Sequence, residues 1–144
     1  MRGAAKALEF YGEVFGATER MRFPGPGGTI AHAEMCVGDS VVIVEDEDPQ
    51  RDTAAPPVDG LAGTPVFQFI YVEDVDAMVA RAVELGATLR RPPTDQFYGD
   101  RDAFVVDPFG HGWVIASHLE DVSEEEMGRR LSAMYDGPSQ GSDR

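Results

Sequence analysis

The stretch "ALEFYGEVFGAT" at residues 7–18 returns in altered form as "AMVARAVELGAT" at 77–88. Ala7 aligns with Ala77, Phe15 with Leu85, and Gly16-Ala17-Thr18 with Gly86-Ala87-Thr88, a constant offset of 70. Both copies carry helical spacing: Ala7, Leu8, Tyr11, Val14 and Phe15 in the first, Val75, Met78, Val79, Ala82 and Val83 in the second. Both stop at glycine, the residue that best tolerates the left-handed backbone at a helix end. The segments after the two helices also match. "TERMRFP" (18–24) and "TLRRPP" (88–93) read as short strands ended by proline. "GGTIAHAEMCV" (27–37) and "DAFVVDP" (102–108) read as further strands. "GDSVVIVED" (38–46) matches "GHGWVIASH" (110–118) at an offset of 72, each a glycine turn leading into a β-branched or aromatic run. Helix, strand, strand, strand is thus used twice.

The second unit has an extra piece in front. "TPVFQFIYVEDVD" (64–76) reads as an apolar strand running into a helix start, with Asp74 as N-cap. Its counterpart in the first unit would fall at about −6 to 2, so unit two reads βαβββ and unit one αβββ. The expected organisation is a single α+β domain over 1–144: unit one 1–46, a linker 47–63 rich in proline, glycine and acid, unit two 64–118, a C-terminal helix 123–135 and a frayed tail 136–144. Ser123 and Glu126 fit a capping box for that last helix.

Composition narrows the function classes. Twenty-six acidic against 12 basic side chains give a formal charge of −14. Such a surface repels phosphate backbones and anionic lipid, which argues against nucleic-acid and membrane partners. The single cysteine, Cys36, forms no intrachain disulfide and sits in an apolar run as a core residue. The N-terminus is periodic and charged, unlike a secretory signal, and a cytoplasmic protein is expected.

The stretches "ALEFYGEVFGA", "AHAEMCVGDSVVIVED", "YVEDVDAMVARAVELGA" and "DQFYGDRDAFVVDPFGHGWVIASH" together resemble the vicinal oxygen chelate superfamily, and most closely its PhnB-like, general glyoxalase/bleomycin-resistance group. The resemblance runs along nearly the whole chain. It implies tandem βαβββ units forming a cupped mixed sheet, with the first strand of unit one missing here. In the family's metalloenzymes the opening and last strands of each unit supply one metal ligand each. Carried over, those positions are Phe67, Val114 and, by the offset of 72, Val42, with the fourth upstream of Met1. A slip of one residue gives Gln68, Ile115 or Trp113. The resemblance therefore implies no resident metal and no cofactor.

Residues for a metal-free site remain. Phe67, Phe69 and Tyr71 alternate onto the face that lines the cup in the family, and Gln68, Ile70 and Val72 take the other. "DQFYGDRDAF" adds Phe97, Tyr98, Asp100 and Arg101, with "YGDR" expected as a loop beside that wall. His118 shares the face of Val114, as a rim or a pocket residue, and His111 falls in a solvated turn. His32 and Glu34 share a strand face, as a polar anchor or a solvated patch. "EDED" (45–48) reads as the acidic start of a loop, and Trp113 as packing under a helix. An aromatic cup with few polar groups suits a flat organic ligand. The leading expectation is a metal-free binding protein of the bleomycin-resistance type. The alternative is a metal-dependent lyase, isomerase or dioxygenase of the glyoxalase type. A homodimer is expected, with the edge of unit one covered by strands of the partner's unit two; the competing expectation is a further strand upstream of Met1.

Overall fold

The computed structural model describes residues 1–51, 53–56 and 66–135. Unit one consists of helix α1 (Ala4–Phe15) and strands β1 (Thr18–Pro24), β2 (Ile30–Val37) and β3 (Ser40–Val44). Unit two consists of strand β4 (Phe67–Tyr71), helix α2 (Val75–Glu84) and strands β5 (Thr88–Asp95), β6 (Asp100–Val106) and β7 (Gly112–His118). Helix α3 (Glu124–Tyr135) comes last. The expected frayed tail, and residues 52 and 57–63 of the expected linker, lie outside the described residues.

The strands form two sheets, ordered β1-β2-β3 and β4-β7-β6-β5. All pairings are antiparallel except β4 with β7, which is parallel. A parallel pair needs a crossover, and α2 supplies the first leg of it. This is the expected tandem α+β arrangement; among the described residues, unit one has no strand that matches β4. β5 runs past Pro92 and Pro93 to Asp95, beyond the expected proline stop. Register shifts around Arg91 take up the prolines at this sheet edge.

Period-2 alternation divides each sheet into two faces. Ala33, Met35 and Val44 of unit one, and Ala103, Val105, Trp113 and Ile115 of unit two, join the helices in one buried core. Helix α1 contributes Ala4, Ala7, Leu8, Phe10, Tyr11 and Val14 to it, and α2 contributes Val75, Val79 and Ala82. The opposite face of each sheet, the open face, is turned away from the helices.

Helix α1 also joins the units. Its Phe15 ring lies 4.6 Å from the Trp113 ring, and its Phe10 ring 6.0 Å from Phe109. The Tyr11 hydroxyl donates to Asp107 Oδ2 at 2.6 Å, and Trp113 Nε1–H donates to the same oxygen at 2.9 Å. Backbone N–H groups of Phe109 and His111 donate to Asp107 Oδ1, each at 2.9 Å. Trp113 therefore packs under the helices, as its parity indicates.

The helix starts show how distant residues complete local structure. Asp74 caps α2 by accepting from Ala77 N–H at 2.9 Å. Gly3, at the start of α1, has no side chain to cap with. Asp46, just past β3, accepts instead from Gly3 and Ala4 N–H at 2.8 and 2.9 Å and from Ile30 N–H at 2.8 Å. Asp46 of the "EDED" stretch, the acidic start of the segment after β3, thus also caps α1. In α3, Ser123 Oγ accepts from Glu126 N–H at 3.2 Å, while the Glu126 carboxylate turns to Arg129 and Arg130 instead of completing the box.

Candidate functional site

The open face of unit two is built from β4, β7 and β6. Phe67 lies opposite Gly112, Phe69 opposite Val114 and Tyr71 opposite Ala116. On the other side of β7, Phe104 lies opposite Val114, Asp102 opposite Ala116 and Asp100 opposite His118. Phe67, Phe69 and Tyr71 are 54%, 46% and 62% exposed, so the aromatic row is presented to solvent instead of being consumed by the core. Gly112 makes room for it. A Cβ there would stand 2.9 Å from the Phe104 ring and 3.2 Å from Phe67 Cβ.

Next to the row are two buried carboxylates, held by donors from other strands and, for Asp102, also from the β5–β6 turn. Asp100 accepts from the Tyr71 hydroxyl at 2.7 Å and from His118 Nδ1 at 2.8 Å. Asp102 accepts from the Tyr98 hydroxyl, the Arg91 guanidinium and Gln96 Nε2. The hydrogen bond to Asp100 raises the Tyr71 pKa. Burial, then its bond to Asp102, raises that of Tyr98. Both tyrosines are therefore neutral donors at physiological pH, not bases.

Of the residues singled out from the sequence, Phe67, Phe69, Tyr71, Tyr98 and His118 come together on this face. Phe97 packs edge-on against Tyr98 at 5.1 Å, and its carbonyl accepts from Arg130 of α3. Arg101 is a correction. "YGDR" does not stay a loop: Gln96 N–H donates to the Asp100 carbonyl at 2.7 Å, closing a hairpin, and β6 starts at Asp100. Arg101 then takes the opposite parity and faces the helix side, bound to Asp76 at 2.7 and 2.9 Å and to Asp95 at 2.8 Å. Asp102, Arg91 and Gln96 were missed. The alternation of "DRD" could have put Asp100 and Asp102 on one face, but not Arg91, whose register depends on the proline-bearing β5.

His32 and Glu34 lie on the open face of unit one, in their own network. His32 Nδ1 is 2.8 Å from Glu45 Oε1, and its Nε2 is 3.5 Å from Glu34 Oε1. Glu34 also pairs with Arg20 at 3.2 Å. The Glu45 bond, backed by Glu34, raises the His32 pKa; the bonds to Asp100 and Asp121 raise that of His118. Each imidazole thus has both ring nitrogens facing carboxylates, whose charge favours the protonated form. His111 is half-buried rather than solvated, its Nδ1 3.6 Å from Asp107 Oδ1 and without a hydrogen bond.

The sign of the histidine shifts gives a testable pH dependence. A folded pKa above the unfolded value contributes stability fully present below the unfolded pKa and lost as pH rises through the folded one. Proton-detected titration is expected to place His32 and His118 above the ordinary value of 6.5. Asp121→Asn is expected to lower the His118 midpoint and leave His32 unmoved; equal midpoints in both proteins would contradict the pairing.

The metal-ligand positions can be compared on this geometry. Val114 is on the open face, but Val42 is not. Val42 lies opposite the buried Met35, on the helix side. The open-face position is Ile43, opposite Glu34. The hairpin linking β2 to β3 has two turn residues between Val37 and Ser40, whereas five separate Val106 from Gly112. The last strands therefore correspond at an offset of 71, not 72. Phe67, Val114 and Ile43 carry only hydrocarbon at these positions, and the donor set does not fit a divalent ion.

The family model of the glyoxalase/bleomycin resistance protein/dioxygenase superfamily matches residues 2–115. The chain belongs to this superfamily. An uncharacterized protein of Mycobacterium bovis is 38% identical over 136 residues, covering 93% of this chain and 89% of the relative. TioX of Micromonospora sp. ML1 is 29% identical and superposes with a TM-score of 0.60, covering 83% of this chain and 93% of that one. A genomically encoded fosfomycin resistance protein of Listeria monocytogenes, 15% identical over 88% of this chain and 90% of its own, shares the fold with a TM-score of 0.60. A shared fold does not fix an activity, and function has to be argued from the site. No helix among the described residues is long and apolar enough to cross a membrane.

Proposed function

We propose that this superfamily member binds a flat, aromatic organic molecule on the open face of unit two and sequesters it without a resident metal. The exposed row Phe67, Phe69 and Tyr71 carries this reading. An aromatic row turned to solvent beside buried carboxylates already engaged by their own donors offers stacking area but no poised nucleophile or base. Hydrocarbon side chains at the carried-over ligand positions support the metal-free part. The charge of −14 favours the approach of a cationic over an anionic ligand.

The test has two steps. Metal analysis of protein purified without chelator is expected to show no stoichiometric zinc, nickel or iron; tightly held metal would overturn the reading. Aromatic compounds are then screened by thermal shift, and the best is titrated against Phe69→Ala and Tyr71→Ala. Each substitution is expected to cost roughly 1 kcal/mol or more in binding. Unchanged affinity in both would show that the ligand sits elsewhere.

A further inference from the structure

Helix α3 carries an apolar stripe that the body of the molecule leaves largely unused. Met127, Leu131 and Met134 recur at helical spacing on one side of it, and Glu125, Arg129 and Ser132 take the other. Met127 and Leu131 are half-buried, Met134 is 67% exposed, and no residue of α3 is fully buried. The open face of unit two presents a second uncovered apolar surface, the row Phe67, Phe69 and Tyr71. Apolar surface of this kind is favoured to leave water when a partner surface is within reach.

The two surfaces are neighbours. The chain leaves β7 on the open-face side: Asp121 Oδ1 lies 2.9 Å from Nε2 of His118, whose other ring nitrogen is on Asp100. Arg130 then ties the middle of α3 to Glu120 at 2.7 Å and to the Phe97 carbonyl at 3.3 Å. That carbonyl belongs to the turn whose Tyr98 reaches Asp102 on the open face. The dimensions agree as well. The stripe from Met127 to Met134 is about 10 Å long, and the row from Phe67 to Tyr71 about 13 Å. Leu119 and Glu120 are pinned through their N–H groups on the Gly99 carbonyl, at 2.9 and 3.0 Å, which leaves residues 121–123 as a pivot. The side chains that hold α3 where it stands are open to solvent, and exposed ion pairs contribute little.

We propose that α3 is a lid: turning about residues 121–123, it lays Met127, Leu131 and Met134 across Phe67, Phe69 and Tyr71. Methionine on an aromatic ring is a favourable contact, and its unbranched chain adapts to whatever lies between. Both surfaces belong to one chain, so a short pivot keeps their effective concentration high. The open position admits a flat molecule to the row, and the closed one holds it between thioethers and rings. That role rests on the binding reading above; closure itself does not, so the test is made without ligand.

The full chain carrying Cys36→Ser receives Phe69→Cys with Leu131→Cys, and a second protein receives Phe69→Cys with Ser132→Cys. Ser132 is the next residue and points about 100° further round the helix. Under oxidised glutathione, the pair with Leu131→Cys is expected to close roughly tenfold faster or better, since a disulfide forms only between Cα atoms brought within about 7 Å. Intact-mass counting of free thiols follows the reaction, and its rate should not depend on protein concentration. Adding Arg130→Gln should speed closure further by releasing the ties to Glu120 and Phe97. Equal rates for the two pairs overturn the proposal. So does a disulfide that forms between chains, because the stripe then meets a second copy. In the unsubstituted chain, methyl-labelled methionine should give cross-relaxation between the Met134 methyl, assigned with Met134→Leu, and the ring protons of the row. This arm decides if either cysteine pair fails to fold, and absence of the signal there overturns the proposal.

Discussion

Asp107→Ala is expected to destabilise the protein by roughly 3–5 kcal/mol, because it strands several buried donors at once. The Asp107 carboxylate is fully buried and accepts from the Tyr11 hydroxyl, the Trp113 indole and two backbone N–H groups. An unsatisfied buried donor costs about 1–3 kcal/mol, and the local backbone relaxes enough to recover only part of the sum. Asp107→Asn keeps one carbonyl oxygen but turns an NH₂ toward the same donors, so a smaller loss is expected. Trp113 is the only tryptophan, and its fluorescence during urea unfolding reads the effect directly. The pH dependence has a definite sign. Burial works to raise the Asp107 pKa, but the His111 ring, Tyr11 and Trp113 outweigh it and hold the value below the ordinary 3.8. The contribution is therefore present above the unfolded pKa and lost as pH falls through the depressed folded one. Asp107→Ala should flatten the acid limb of the stability profile; an unchanged limb would show that another carboxylate governs it.

Gly99→Ala is expected to cost roughly 2–5 kcal/mol, and to disturb the open face as well as the fold. Gly99 has φ +96°, and an added Cβ would stand 2.2 Å from the Glu120 carbonyl oxygen and 2.9 Å from Val122 Cγ2. Backbone cannot swing aside as a flexible side chain can. The Gly99 carbonyl also accepts from Leu119 and Glu120 N–H at 2.9 and 3.0 Å, so displacing the turn pulls on the segment after β7. Tyr98 and Asp100 flank this glycine, and His118 is bound to Asp100. The variant should show a lower urea midpoint together with a His118 titration shifted toward 6.5. A native midpoint would mean that the turn relaxes at little cost.

The helices and most strands were legible because their signals are local: a 3.6-residue period, a glycine stop, an alternating run. The repeat then placed unit two's extra strand without any long-range information. Parity was harder to carry from one unit to the other. Val42 and Ile43 exchange faces because one hairpin is three residues shorter than its counterpart, and the matching of glycine turns conceals that difference. Phe67, Phe69 and Tyr71 were readable as a row since alternation within one strand needs no partner. Arg101 was misjudged because a glycine beside two charges resembles a loop, while the hairpin bond from Gln96 starts β6 immediately after it. The engagement of Asp102 by Arg91, Tyr98 and Gln96 depends on strand pairing across bulges at prolines, which no local pattern announces.

The clasp between α1 and the β6–β7 turn also bears on how the chain reaches its native state. Tyr11 and Asp107 are 96 residues apart in sequence. Closing so large a loop pays its chain entropy before any of the clasp's contacts repay it. Docking of the first helix on the second unit thus waits for nearly the whole chain to be available, including during synthesis. Until then the Tyr11 hydroxyl lacks its Asp107 acceptor and the Phe10 ring lacks Phe109.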